Sequence, residues 1–296
     1  MTPLYLQNKN KLNKKLKHLW ELFSPCQLCP RKCLVERKKG EKGFCGGGEK
    51  ASVSSYFPHF GEESCLVGEH GSGTIFFAHC NLKCVFCQNY PISHLGEGEE
   101  ISAQKLAEIM LFLQKLGCHN INLVTPTHFV PQIVEALILA IEKGLKIPLV
   151  YNCGGYESEE VIELLEGIVD IYMPDAKFSS PQVSQEFSFC PDYFDNLKIV
   201  LKKMHKQVGD LIIENGVAQR GLLIRHLVMP NDLSGTKEIM EFIAKEISLN
   251  SYINIMDQYR PCGEAYHYPE INRTITLEEY RKAREIALSL GLKRLD

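Results

Sequence analysis

The stretch from His79 to Tyr90 places Cys80, Cys84 and Cys87 in a C-x3-C-x2-C spacing, directly after the apolar run Thr74-Ile-Phe-Phe-Ala78. Thiolates are soft donors and the preferred ligands of iron–sulfur clusters. Three of them in one loop can hold three irons of a cubane and leave the fourth open to a small molecule. The competing readings are a three-cysteine zinc site and three buried thiols. Structural zinc ordinarily takes four ligands in paired spacing, and this loop offers three.

A second group lies upstream, at Cys26, Cys29, Cys33 and Cys45, spaced C-x2-C-x3-C-x11-C. Gly40, Gly43, Gly46, Gly47 and Gly48 surround it, and its apolar content is too low for a core of its own. A bound metal centre would supply the missing stability. Four thiolates suit tetrahedral zinc and equally a fully ligated [4Fe–4S] cluster, and the residue types leave that choice open. These two groups take seven of the twelve cysteines. The remaining five are scattered and read as small buried side chains.

The elements that must position these thiols alternate. Helical spacing of Leu12, Leu16, Leu19, Trp20 and Phe23 predicts an amphipathic helix over 11–23, with its apolar face docked on its own domain. Residues 51–72 contain short β-prone runs and the polar stretch Gly61-Glu-Glu-Ser64, and read as a connector onto the first barrel strand. Strands are expected at 74–79, 121–124, 147–151, 168–173, 221–228 and 252–256. Helices are expected near 102–117, 131–143, 158–166, 191–208, 235–247 and 277–290, with a further helical segment ending near Ala218. Six strands alternating with helices argue for parallel βα units, as a barrel or an open sheet. In such folds chemistry sits at the C-terminal ends of the strands. Thr125, Asn152, Asp175 and Lys177 follow predicted strands. Arg225 and His226 are strand neighbours and so point to opposite faces; Arg225 is taken as the interior one.

The whole is 296 residues with 45% hydrophobic content and a net charge of −3, a globular composition without the basic field that nucleic acid binding requires. The lysine-rich start has no uninterrupted apolar segment of a signal peptide, and no apolar run approaches the ~18 residues of a membrane span. A cytoplasmic protein is expected, in which disulfides are disfavoured and cysteines serve metals.

Across Cys26-Gln-Leu-Cys-Pro-Arg-Lys-Cys33, Gly71-Ser-Gly-Thr-Ile-Phe-Phe77, Cys80 to Tyr90, Tyr151 to Glu157, Pro174 to Lys177 and Arg225-His-Leu-Val-Met-Pro230, the sequence resembles the radical SAM proteins grouped with pyruvate formate-lyase-activating enzymes. More specifically, it resembles their relatives with an N-terminal cysteine-rich segment. The resemblance implies a partial (βα)6 TIM-like barrel over 71–296, preceded by an N-terminal helix and Cys-rich extension in 1–70. It implies a [4Fe–4S] cluster on Cys80, Cys84 and Cys87 whose open iron is chelated by S-adenosylmethionine (SAM). It places Phe86 beside the adenine, Asp175 and Lys177 on the ribose or carboxylate side, Asn152 near SAM or a monovalent cation, and Arg225 within reach of SAM. The activity implied is reductive cleavage of SAM to a 5′-deoxyadenosyl radical, fed by an electron donor such as flavodoxin or ferredoxin. The implied hydrogen donor is a glycine of a partner glycyl-radical enzyme, with a small molecule or a different protein as the alternative. One departure stands out. The Gly-Gly-Glu that follows the second barrel strand in the activating enzymes is here Thr125-Pro-Thr-His-Phe129, so Thr125 or Thr127 would supply the oxygen acceptor. The contrasting class is a non-enzymatic metal-binding or electron-transfer protein built on both cysteine groups, which would not cleave SAM.

Overall fold

A computed structural model describes residues 1–296. Its ten strands are β1 (Ala51–His59), β2 (Ser72–Phe77), β3 (Glu99–Ile101), β4 (Ile121–Val124), β5 (Leu149–Cys153), β6 (Ile171–Pro174), β7 (Ile212–Glu214), β8 (Val217–Leu227), β9 (Tyr252–Met256) and β10 (Arg294–Leu295). They form one sheet in the order β10-β9-β8-β6-β5-β4-β2-β1-β3, with β7 hairpinned onto β8. The six strands expected from sequence, β2, β4, β5, β6, β8 and β9, run parallel in succession. β3 and β10 end the sheet without meeting, so the architecture is a partial (βα)6 barrel.

The pleat sorts side chains between two cores. Leu149, Tyr151, Tyr172, Ile224, Ile253 and Ile255 face outward and join the main core under the helices. Val150, Ile171, Met173 and Leu223 face inward, where Cys65 and Leu66 of the short helix Ser64–Val67 fill the barrel floor. Successive strand residues alternate faces, so the residue two beyond each floor residue also points inward, nearer the strand end. Asn152, Asp175 and Arg225 occupy those positions, one level above the floor.

The helix Leu12–Phe23 buries Leu12, Leu19, Leu22 and Phe23 and packs on the helix Val130–Glu142; Lys14 and Lys17 stay outside, while half-buried Lys15 bonds the carbonyls of Leu164 and Glu166. At about 1.5–3 kcal/mol for each fully buried large apolar side chain, this helix is anchored by packing. No helix is long and apolar enough to cross a membrane.

Two segments differ from expectation. Residues 51–72 contain β1, a nine-residue strand antiparallel to β2, where a connector was expected. Its outer half is only partly covered, so no clean apolar alternation marks it; pairing holds it in place. The stretch before Ala218 is the β7–β8 hairpin and contains no helix. Its turn, Asn215-Gly216, has φ of 51° and 79°, the left-handed pair that a two-residue hairpin turn requires. A helix at Pro181–Ser188 was also unforeseen; Ser180 caps it through a bond from the Val183 N–H.

Candidate active site at the strand ends

The cysteine loop leaves β2 as expected, and its path is tight. His79 and Lys83 are left-handed, with φ of 72° and 52°. Cys84 is buried, and Cys80 and Cys87 are half-buried. Each sulfur has a donor: the Leu82 N–H at 3.4 Å from Cys80 Sγ, the Ser188 hydroxyl at 2.9 Å from Cys84 Sγ, and the Ser93 hydroxyl at 3.2 Å from Cys87 Sγ. Burial pushes the Cys80 thiol up to about 11 and raises Cys84 as well, and the Cys80 and Cys87 sulfurs add to the shift of Cys84. All three thiols belong to the one loop that leaves β2.

Cys84 and Cys87, but not Cys80, line a cavity of about 400 Å³ together with Phe86, Asn152, Asp175, Lys177 and Arg225 among others. Phe86 is buried, edge-on to Phe178 at 6.0 Å and tilted against Tyr259 at 5.8 Å. Arg225 Nε donates to Asp175 Oδ1 at 2.8 Å, and its Nη2 donates to Asn152 Oδ1 at 2.7 Å. The Lys177 ammonium holds the other Asp175 oxygen. Burial alone would lift the Asp175 carboxyl, but Arg225 and Lys177 outweigh it and hold it below its ordinary value. Burial works against the Lys177 charge too, and Asp175 and the Cys84 sulfur restore it. His226 points the other way and is consumed by Ala176 O at 2.7 Å and Thr236 Oγ1 at 2.9 Å.

Thr125 and Thr127 are placed differently from the others. Neither lines the cavity. Thr125 is left-handed (φ 59°), and Thr127 donates to Glu157 Oε1 at 2.8 Å behind β5.

Several cavity residues had no sequence signal. Glu62, from the loop between β1 and β2, lies 3.9 Å from Arg225 Nη1, and burial raises its carboxyl. The Gly61-Glu-Glu-Ser64 run is unremarkable in sequence; only the antiparallel return of β1 carries it over the open side of the barrel. Gln258 and Tyr259 come from the chain after β9, where strand-end logic could have found them. Arg31, in the upstream cysteine segment and outside the cavity lining, bonds Asn81 O at 2.5 Å and Ser188 O at 3.0 Å, tying the cysteine loop to the end of the helix Pro181–Ser188.

The family model of the radical SAM superfamily matches residues 74–207, from β2 through β6 to the end of the helix Tyr193–Val208. Two proteins of Methanocaldococcus jannaschii are similar over nearly the whole chain. Uncharacterized protein MJ0674 is 36% identical over 293 residues, covering 96% of this chain and 80% of that protein. Uncharacterized protein MJ0808 is 23% identical over 294 residues, covering 90% of this chain and 79% of that protein. With the cysteine loop leaving the first strand of a partial parallel barrel, these matches show that the chain belongs to the radical SAM superfamily.

Proposed function

We propose that this chain is an enzyme that binds SAM in the barrel mouth, on a [4Fe–4S] cluster held by Cys80, Cys84 and Cys87, and abstracts hydrogen from a substrate in the same cavity. The superfamily implies both the cluster and SAM. The residues fit: one loop supplies three soft sulfurs, each with an N–H or O–H donor of the kind that tunes cluster thiolates. When bound, the cluster supplies one electron that cleaves SAM to methionine and a 5′-deoxyadenosyl radical. The observation that carries the reading is the shared cavity, which puts two of the three thiols beside the Asn152–Arg225–Asp175–Lys177 network.

The protein's own work is positional. The Asp175 carboxylate, locked between Lys177 and Arg225, offers fixed charge where a ribose or an amino-acid end would lie. Phe86 supplies an apolar ring for the adenine. Arg225 keeps Asn152 oriented. Thr125 is the proposed oxygen acceptor near the missing Gly-Gly-Glu, and its side chain would have to turn toward the mouth to serve. The upstream four-cysteine group takes a second metal centre, and the electron donor is a flavodoxin- or ferredoxin-like protein.

For the hydrogen donor, family resemblance supports a glycine Cα–H of a partner glycyl-radical enzyme. A small polar substrate is favoured by a different observation. Glu62, Arg225 and Gln258 also line an adjoining recess of about 230 Å³, walled by Glu63, Ser64, Asn254 and Asp296, with no apolar residue. Anaerobic incubation of reconstituted protein with SAM and dithionite tests the core reading: 5′-deoxyadenosine and methionine form, and Cys84→Ala abolishes both. If wild-type protein with an intact cluster makes neither, the reading fails. Turnover raised by a small-molecule extract supports the polar substrate; a protein-borne radical signal supports the glycyl partner.

A further inference from the structure

The geometry points to a second [4Fe–4S] cluster, fully ligated and closed to SAM, held by Cys26, Cys29, Cys33 and Cys45. It deepens the two-centre reading above by choosing iron–sulfur over zinc, and it does not rest on SAM cleavage.

Residues 24–50 contain no regular element beyond the short turn of helix at Arg37–Lys39, yet three of the four cysteines are buried. All four line one small void. The backbone is forced around them. Lys32 and Leu34, on either side of Cys33, are left-handed with φ of 39° and 57°. The catalytic cysteine loop has the same signature at His79 and Lys83. Gly43 stands where a Cβ would lie 3.0 Å from Cys33 Sγ, so no larger residue fits without displacing the thiol. Strained non-glycine backbone persists only where surrounding structure over-determines it.

Two of the sulfurs also have N–H groups directed at them. The Gly47 N–H points at Cys45 Sγ at 3.4 Å, and Arg37 Nη1 lies 4.0 Å from Cys26 Sγ. Arg37 is the more telling of the two. It is 1% exposed, makes no ion pair with any carboxylate, and otherwise bonds only the carbonyls of Gly48 and His128. A buried guanidinium without a counter-charge is costly. An anionic thiolate-ligated centre beside Cys26 provides that charge.

Spacing of the thiols separates cluster from zinc. Zinc holds its sulfurs at about 2.3 Å, which would draw four thiols into contact and leave no void between them. Here the four cysteines line a void of about 10 Å³. No three His, Cys, Asp or Glu side chains gather into a group that could hold a single metal ion. The same is true of Cys80, Cys84 and Cys87, the loop for which the superfamily implies a [4Fe–4S] cluster. Arg31 then links the two centres, reaching from the segment between Cys29 and Cys33 to Asn81 O beside Cys80.

The test is metal content after anaerobic reconstitution with iron and sulfide, on the full chain and on a Cys80→Ala/Cys84→Ala/Cys87→Ala variant. A cubane carries four irons, so the full chain should hold about eight irons per chain and the variant about four, without zinc. The dithionite-reduced variant should give a paramagnetic signal that SAM does not move. About one zinc per chain, or a variant without iron, overturns the second cluster. Should the triple variant not fold, a Cys26→Ala/Cys29→Ala variant decides in its place: about four irons fewer than the full chain supports the second cluster, and an unchanged iron count refutes it. Four irons in both proteins would leave the upstream cluster standing and remove the catalytic one, so the two readings fail separately.

Discussion

The Arg225–Asp175 pair gives a prediction whose size follows from the geometry. Arg225→Gln removes two charge-assisted hydrogen bonds, 2.8 Å to Asp175 and 2.7 Å to Asn152. Such bonds contribute about 1.5–3 kcal/mol each, and breaking a buried pair costs about 3–5 kcal/mol. Lys177 remains on Asp175, and the Arg225 and Asp175 side chains keep 16% and 10% of their exposure, so the lower end applies. We expect a loss of about 3 kcal/mol. Unfolding entropy near 2.1 cal/mol/K per residue gives roughly 0.6 kcal/mol/K for this chain, hence a fall in Tm of about 5 °C. Asp175→Asn leaves Arg225 with Asn152 and the more distant Glu62 and should cost about 2–3 kcal/mol. In a double-mutant cycle the two changes should be coupled by about 2 kcal/mol. Urea unfolding of the four proteins, metal-free and anaerobic, measures this directly. A coupling energy below about 0.5 kcal/mol, the level of independent sites, would refute the view that these groups form one locked network.

Other outcomes follow from single residues. Burial lifts the Glu157 carboxyl from 4.5 to about 7 despite bonds from Thr127 and Tyr151, so the folded state holds a proton that the unfolded chain releases. Stability should therefore fall by about 3 kcal/mol as pH rises from 4.5 to 7 and change no further through this group above 7; Glu157→Gln should remove that slope in pH-dependent urea melts. Gly155 has φ 81°, and a Cβ there would lie 2.2 Å from Asp175 O, so Gly155→Ala should cost at least about 2 kcal/mol and weaken SAM binding through the displaced Asp175. Arg31→Ala removes the bonds to Asn81 and Ser188; limited proteolysis should then cut faster within residues 79–90, with little change at Asn215-Gly216. Unchanged cleavage would rule out the clamp.

Much of the fold was legible because its signals are local. Six parallel strands are buried on both faces, so they read as short apolar runs separated by helical periodicity and terminal glycines. The alternation rule alone chose Arg225 over His226 as the interior residue, and the structure gives Arg225 the cavity and His226 the outer core. β1 escaped because its half-exposed outer residues lack a period of two. The β7–β8 hairpin was readable from Asn215-Gly216 but was overridden by the apolar content around it.

The site divides along the same line. Cysteine spacing by itself marked two loops as candidate sites for soft metals, because ligand type and count are properties of the chain. It could not decide what faces those loops. Glu62 reaches Arg225 only because β1 turns back antiparallel to β2, and Thr127 is spent on Glu157 because the helix after β4 turns it behind β5. The path of the upstream cysteine segment is set by Lys32, Leu34, Gly43 and the buried Arg37 acting together. Each of those distances depends on where distant segments come to lie, and only tertiary packing decides that.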